Sequence, residues 1–396
     1  MTTLNKLCKF SNQEKLTQNQ EKLNELLAVT KSNITYPFVD TNTLVGIEVE
    51  VEHIHKKYSL LQLERDYLWT NIEDGSLRNN GREFVSCPIK GNQISFAIHS
   101  LFSTFRRDKK CVGYEFSERT SIHVHINYQE ETMETLLNSI LIYLLVEPLL
   151  YAFVGGLREE NIFCIPIQDS NYEEILYKAF GSFEGEDEKG CLSHLRNWSK
   201  YSGLNLLPLF KYGTLEFRHL LGTDDKELIF NWINIILCIK KYAAKSSYKE
   251  IKKTLIDMNS SSIYIGFINS IFNGILPYHN IPNVEKVLEK SVNFIKEIYS
   301  SDDSYKYFLF NKRENSDPTL FFYEVCLKQD LLYKSKNEVK RKPVNWLEEI
   351  PEANLRALLN NRPLQRPGVV LPQAGQGENL IARHIQILGQ EEEADF

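Results

Sequence analysis

The chain has 396 residues, 42% hydrophobic and 25% charged, with a formal net charge of −6. That balance fits a folded, soluble chain rather than a disordered one, and the acidic excess argues against a broad basic footprint for nucleic-acid phosphates. Seven cysteines without a CxxC pair suit reduced thiols in a cytosol better than a disulfide framework or a cysteine-based zinc site, so the expected location is cytoplasmic.

The N-terminal stretch is polar and lacks the apolar region of a secretory signal. Leu16, Leu23, Leu26 and Leu27 recur at roughly helical period, which predicts an amphipathic helix over 12–30. A strand is expected over 43–53. An extended region follows at 66–90, with the turn dipeptides Asp74-Gly75 and Asn80-Gly81. Residues 92–107 read as a helix, 120–128 as a strand and 131–154 as a long apolar helix. The apolar runs at 140–153 and 229–239 carry Tyr143, Glu147, Pro148, Asn231 and Asn234. They fall short of about 18 clean residues and read as buried core helices, with no membrane partner expected. The polar, glycine-rich stretch 181–190 reads as a surface loop, 211–223 as a strand and 225–243 as a helix. The basic stretch from Lys240 to Lys253 reads as solvated helix faces. Helices are expected over 247–333, and beyond 335 proline, glycine and glutamine dominate, as in an extended tail. The expected organisation is a leader at 1–35, a catalytic core at 36–245, a helical continuation at 246–335 and a tail at 336–396.

Several strands share an unusual polar face. In "VGIEVEVE" (45–52), Glu48, Glu50 and Glu52 alternate with Val45, Ile47, Val49 and Val51. Same-face neighbours lie roughly 7 Å apart, and at an effective dielectric of about 20 two such charges repel by about 2 kcal/mol. In "SIHVHIN", Ser121, His123, His125 and Asn127 share a face, and in "GTLEFRHL", Thr214, Glu216 and Arg218 do. Alternation alone is ordinary for a half-buried antiparallel strand. Glutamate and histidine together, however, are the residue types of ligands and of acid/base chemistry. If these faces line one sheet surface, the carboxylates converge on a site for hard divalent cations, Mg²⁺ or Mn²⁺ more than a structural zinc. Arg218, beside Glu216, suits a phosphate oxygen.

The order of these motifs resembles that of the amidoligase (carboxylate-amine ligase) family, relatives of glutamine synthetase and glutamate-cysteine ligase. "GIEVEVE" is similar to the family's opening metal-binding strand, and "DGSLRNNGREFVSCPIKG" to its Asp-Gly-Ser segment followed by Glu-x-Val-Ser-x-Pro. "RTSIHVHIN" resembles its His-Val-His strand, "LREENIFCIPI" its Arg-x-x-Asn-x-Tyr-Cys segment, and "KYSGLNLLPLFKYGTLEFRHLLGT" its Tyr-x-x-Leu-Asn and Thr-x-Glu-Phe-Arg pair. Phe163 stands where the family pattern has tyrosine. The resemblance covers about residues 40–245.

It implies an α+β, glutamine synthetase-like catalytic fold: an antiparallel sheet with a concave ATP and metal face backed by helices, then a C-terminal helical region and an extended tail. It also implies ATP-dependent formation of an amide bond through an acyl phosphate, with ATP and Mg²⁺ (or Mn²⁺) as cofactors. On that analogy Glu48, Glu50, Glu83, His125 and Glu216 hold metal. Asp74, Arg218 and Arg158 act in catalysis, and Ser76, His123, Asn127, Asn161, Asn205 and Arg218 bind ATP or substrate. The implied partners are small-molecule or peptide carboxylates and amines, with the tail available for a protein partner or for docking on the core. Two other readings stay open: a catalytically silent binding or structural protein on the same fold, and a metal-dependent hydrolase or oxygenase built on His123 and His125.

Overall fold

Val45, Ile47, Val49 and Val51 are all buried, and the residues between them are glycine and glutamate, so the first strand presents one face to a core. The same rule builds the rest of the sheet. In the computed structural model, described for residues 2–8, 21, 23–25, 36–54, 68–107, 113–155, 158, 159, 161–169, 172–276 and 284–299, six strands form one sheet. They are β1 (Val45–Val51), β2 (Trp69–Glu73), β3 (Arg82–Ser86), β4 (Ser121–Asn127), β5 (Leu204–Asn205) and β6 (Thr214–Leu221). The order is β2-β3-β1-β4-β6-β5, and every neighbouring pair is antiparallel.

Ten helices are described: α1 (Leu4–Cys8), α2 (Asn92–Arg107), α3 (Met133–Val154), α4 (Glu173–Glu184), α5 (Glu188–Leu195), α6 (Pro208–Tyr212), α7 (Lys226–Ala243), α8 (Tyr248–Ile256), α9 (Ser261–Phe272) and α10 (Val284–Tyr299). The chain is therefore a mixed helix and antiparallel-sheet protein. Helix α7 lies against β4 and β6, α3 against β6 and α7, and α8 and α10 against α3. Helix α3 has the length and mean hydropathy of a membrane span, yet 78% of its most apolar window is buried within the protein. It is a core helix, capped by the Thr132 hydroxyl, which accepts from the Thr135 amide at 3.2 Å, and ended by Gly155 at φ 102°.

A bulge in β6 sets which side chains reach the polar face. Val124 pairs with Phe217 and Ile122 with Leu220, so two residues of β4 span three of β6. Strict alternation from Phe217 would send Leu220 to the face of Glu216. The extra residue returns it to the core, where it is 1% exposed.

Some expectations are corrected. The stretch 181–190 is no loop. It ends α4 and begins α5, with Gly185 terminating the first helix and Asp187 capping the second through the Gly190 amide. Lys240 is buried, because its ammonium meets Thr43 Oγ1 at 3.1 Å, the Asn127 carbonyl at 2.7 Å and Glu131 at 2.9 Å. Lys241, Lys245, Lys249 and Lys253 are exposed as expected. Of the helix expected over 12–30, residues 21 and 23–25 are helical and Leu23 is buried. Its remainder, the helices expected beyond 299 and the tail at 336–396 lie outside the described residues.

Behind β6 sits a close junction. A Cβ on Gly203 would come within 2.9 Å of both His219 Nε2 and the Tyr143 hydroxyl, and closer still to the hydroxyl of Tyr151. These rings are fully buried and cannot retreat. Gly203→Ala is expected to lower stability by about 1–3 kcal/mol through overpacking, read as a drop in denaturant midpoint with unchanged slope.

Candidate functional site

Register brings the polar faces of five strands together. Directly opposed residues of an antiparallel pair share a face. Here Glu48 opposes His123, Gly46 opposes His125, Glu50 opposes Glu83, and His125 opposes Glu216, which in turn opposes Asn205. Five strands thus contribute to one patch, and glycine opposite His125 leaves room for the ring to lean toward Glu48.

Glu48 is the hub. One of its oxygens lies 2.9 Å from His123 Nδ1 and the other 3.0 Å from His125 Nε2. Each histidine is oriented through its second nitrogen, His123 by the Ser121 hydroxyl at 2.7 Å and His125 by Thr214 Oγ1 at 3.1 Å. The amide and hydroxyl of Ser121 both donate to Glu50, at 2.8 and 2.6 Å. Glu216 accepts from Asn205 Nδ2 at 2.6 Å and from the Arg218 guanidinium, whose Nε donates to the Phe163 carbonyl at 3.1 Å.

Two sets of ligand atoms converge within 4.8 Å of one another: Glu48 with Glu83 and His123, and Glu48 with His125 and Glu216. They share Glu48, so one carboxylate stands between two candidate cation positions. Carboxylate oxygens with one imidazole each fit Mg²⁺ or Mn²⁺. The two histidines fall in different sets, which speaks against an HxH chelate of a single metal.

The charges are unevenly satisfied. Burial opposes the charge of Glu48, but His125 and His123 outweigh it and hold the carboxyl well below the usual range. Glu216 is lowered in the same way, against burial, by Arg218 and the histidines. Burial works against the His125 imidazolium, and Glu48 reverses the balance and raises it. Burial pushes Glu50 up, with His123 and Ser121 pulling back. Glu83 is driven well above its ordinary value by burial, then by Glu48 and Glu50. The repulsion expected along β1 therefore falls mainly on Glu83, across the sheet.

Other expected residues lie elsewhere or act differently. Asp74 ends the β2 edge and accepts from the Ser76 amide at 2.7 Å, while its charge reaches Glu50 and Glu83. Ser76 lies in that turn, its carbonyl accepting from Arg119. Asn127 is not brought into the cluster; its side-chain oxygen takes the Gln129 amide at the strand's end. Asn161 is buried and holds its own loop, donating to the Glu118 carbonyl and accepting from the Phe163 amide. Arg158 is fully buried and grips the Arg218 carbonyl through Nε and Nη2, with Nη1 left without a partner among the described residues. Glu52, the third carboxylate of the 45–52 stretch, is also buried and accepts the Arg78 amide at 2.7 Å. Ser121 and Thr214, which orient the two histidines, were legible only as small hydroxyls on the right faces.

The state of Glu83 yields a prediction. In the folded, metal-free protein its carboxyl keeps a proton that the unfolded chain releases near 4.5. Between those two pKa values the folded state binds more protons, so stability falls as pH rises. Glu83→Gln is expected to melt higher than the parent at about pH 8, with the difference shrinking toward about pH 4.5. Mn²⁺ should raise the parent's melting temperature more than the variant's, which keeps only the set of Glu48, His125 and Glu216. A variant less stable than the parent at the higher pH, without metal, contradicts this account.

The comparison with family sequence models agrees with the motifs. The sequence model of a family described as "Putative amidoligase enzyme" matches residues 56–240. A solved structure titled "Crystal structure of novel glutamine synthase homolog" is similar over 74% of this chain and 74% of its own, at 11% identity and a TM-score of 0.32. No curated protein matches. Over residues 56–240, beginning after β1 and ending within α7, the chain matches the amidoligase family, as its motifs led us to expect.

Proposed function

We propose that the protein is an ATP-dependent carboxylate-amine ligase that forms an amide, peptide or isopeptide bond through an acyl phosphate. The observation that supports it is the pair of ligand sets sharing Glu48, with Arg218 on the same face. A carboxylate is a poor acyl donor. Phosphorylation by ATP converts it into an acyl phosphate, which an amine then attacks with release of inorganic phosphate.

The residues divide the work. Glu48, Glu83 and His123 would hold one divalent cation, and Glu48, His125 and Glu216 a second; Glu50 stands beside the first set. When bound, Mg²⁺ or Mn²⁺ supplies positive charge that neutralises the transferring phosphoryl group. Arg218 meets a phosphate or carboxylate oxygen, its guanidinium plane set by Glu216 and the Phe163 carbonyl. Asn205 steadies Glu216 from the far side. Asp74, at the edge of the same face, takes the proton of the attacking ammonium. Catalysis in this arrangement is mainly positioning and charge stabilisation. Arg158 and Asn161 support the site and do not touch ligand. The substrates are small-molecule or peptide carboxylates and amines, consistent with a cytosolic enzyme supplied with ATP.

The test is release of ADP and phosphate from ATP with Mg²⁺ in the presence of carboxylate and amine mixtures, with mass spectrometry for products lighter than their parts by one water. Turnover is expected to need both substrate classes and to be lost in Glu48→Gln, which removes a ligand from both cation sets. No nucleotide binding by calorimetry, with or without Mg²⁺, sinks this reading.

A further inference from the structure

Helix α3 contains a carboxylate that the proposed chemistry does not use. Glu147 is 1% exposed, and among the described residues it accepts from three donors, none of them lysine or arginine. The Tyr143 hydroxyl donates to Oε1 at 2.8 Å, the Ile167 amide to Oε1 at 2.7 Å and the Gln168 amide to Oε2 at 3.1 Å. A buried carboxylate carries a large desolvation cost, so its retention here calls for a reason beyond packing.

The next residue supplies a second attachment to the same segment. Pro148 has no amide hydrogen, so the Leu144 carbonyl loses its helical partner. Gln168 Nε2 takes that carbonyl at 2.7 Å and reaches Ser291 of α10 at 3.2 Å. The dipeptide Glu147-Pro148 thus holds the 167–168 backbone and the Gln168 side chain at once.

The held segment leads directly to the site. Tyr151, one turn further along α3, donates to the Cys164 carbonyl at 2.7 Å. The Phe163 carbonyl accepts from Arg218 Nε at 3.1 Å, and the Ile165 carbonyl accepts from the Gly203 amide at 2.9 Å. Gly203 in turn accepts the Arg218 amide at 2.9 Å. Residues 163–168 therefore form a strap between α3, behind the sheet, and the guanidinium in front of it. Without the Phe163 carbonyl, the Arg218 side chain would be held through Nη1 only, by Glu216 and by His123 at 3.5 Å, and could rotate about that end. Two-point binding of a phosphate by arginine needs a fixed plane.

We infer that Glu147 is a positioning residue: through the strap it anchors behind the sheet, it sets the plane of Arg218 for the ligand. This rests on the ligase reading of the site. Glu147→Gln is close in shape but places an amide NH₂ against one of the two strap amides, so the strap loosens. Gln168→Ala, which removes only the attachments to Leu144 and Ser291, loosens it less and leaves the core side of α3 intact. Tyr143→Phe removes a donor to Glu147 without touching the strap, and serves as the control for plain destabilisation.

The experiment measures Mg-ATP affinity by calorimetry and Mn²⁺ affinity by electron paramagnetic resonance on the full chain. Glu147→Gln is expected to weaken Mg-ATP about tenfold, and Gln168→Ala several-fold, both with Mn²⁺ affinity unchanged. Tyr143→Phe is expected to melt lower while binding Mg-ATP like the parent. If the parent binds Mg-ATP and both strap variants bind it equally well, or if Tyr143→Phe loses as much affinity as Glu147→Gln, the inference is overturned and the ligase reading stands. A parent chain that binds no Mg-ATP overturns the ligase reading and this inference together.

Discussion

The site depends on one carboxylate held between two imidazoles. Glu48 meets His123 with one oxygen and His125 with the other, and both contacts follow from the register that sets β1 against β4. A shift of one residue would turn Glu48 into the core and Val49 out. The buried valines of β1 and the apolar residues of β4 forbid that shift, so the same burial that stabilises the sheet fixes the site. Charge balance then falls into place on one side: Glu48 and Glu216 are kept ionised by His125, His123 and Arg218. On the other side Glu83 and Glu50 are pushed toward protonation, both by burial first and Glu83 then by the neighbouring Glu48 and Glu50. That imbalance is what a divalent cation would relieve.

Much of this was legible in the sequence because strand period converts directly into faces. Glu48, Glu50, His123, His125, Glu216 and Arg218 all lie where alternation puts them, and Glu83 joins through its pairing with Glu50. What alternation cannot supply is the partner of a side chain once it leaves the strand. The resemblance implies catalysis for Arg158 and ligand binding for Asn161; in the fold both are buried and bonded to backbone carbonyls. Lys240 misled in the same way, since a lysine within a basic run gives no sign that Thr43, Glu131 and the Asn127 carbonyl await it. The stretch 181–190 failed for a different reason. Its glycines and acids do mark a break, but the break is the corner between two helices, with Asp187 as a cap.

The back of the sheet is as polar as the front in one place. Tyr143, Glu147, Tyr151 and His219 are all buried behind β6, and burial with the nearby Arg158 keeps His219 well below its ordinary pKa, hence neutral. A neutral His219 donates from Nε2 to the Tyr143 hydroxyl, which frees that hydroxyl's hydrogen for Glu147. The polar chain runs in one direction and ends on Glu147, whose two oxygens also accept the strap amides, while burial raises its carboxyl to about 7. An apolar core at this point would pack as well but would leave the amides of Ile167 and Gln168 unpaired.

The family match begins at residue 56, after the strand that carries Glu48 and Glu50. The sheet shows why the matched segment cannot make the site alone. Strand β1 lies between β3 and β4, and both of those fall inside the match. Without β1 they would face each other across a missing strand, each with an open row of amides and carbonyls, and Glu83 and His123 would lose the carboxylate that joins them. Residues 36–40 extend the requirement further back. Tyr36 donates to Asn231 at 2.6 Å and the Val39 amide to Asn234 at 2.9 Å, so the entry to β1 is tied to α7 from behind. The functional core therefore begins no later than residue 36, some twenty residues before the recognisable segment, because the hub carboxylate sits on the strand that closes the sheet.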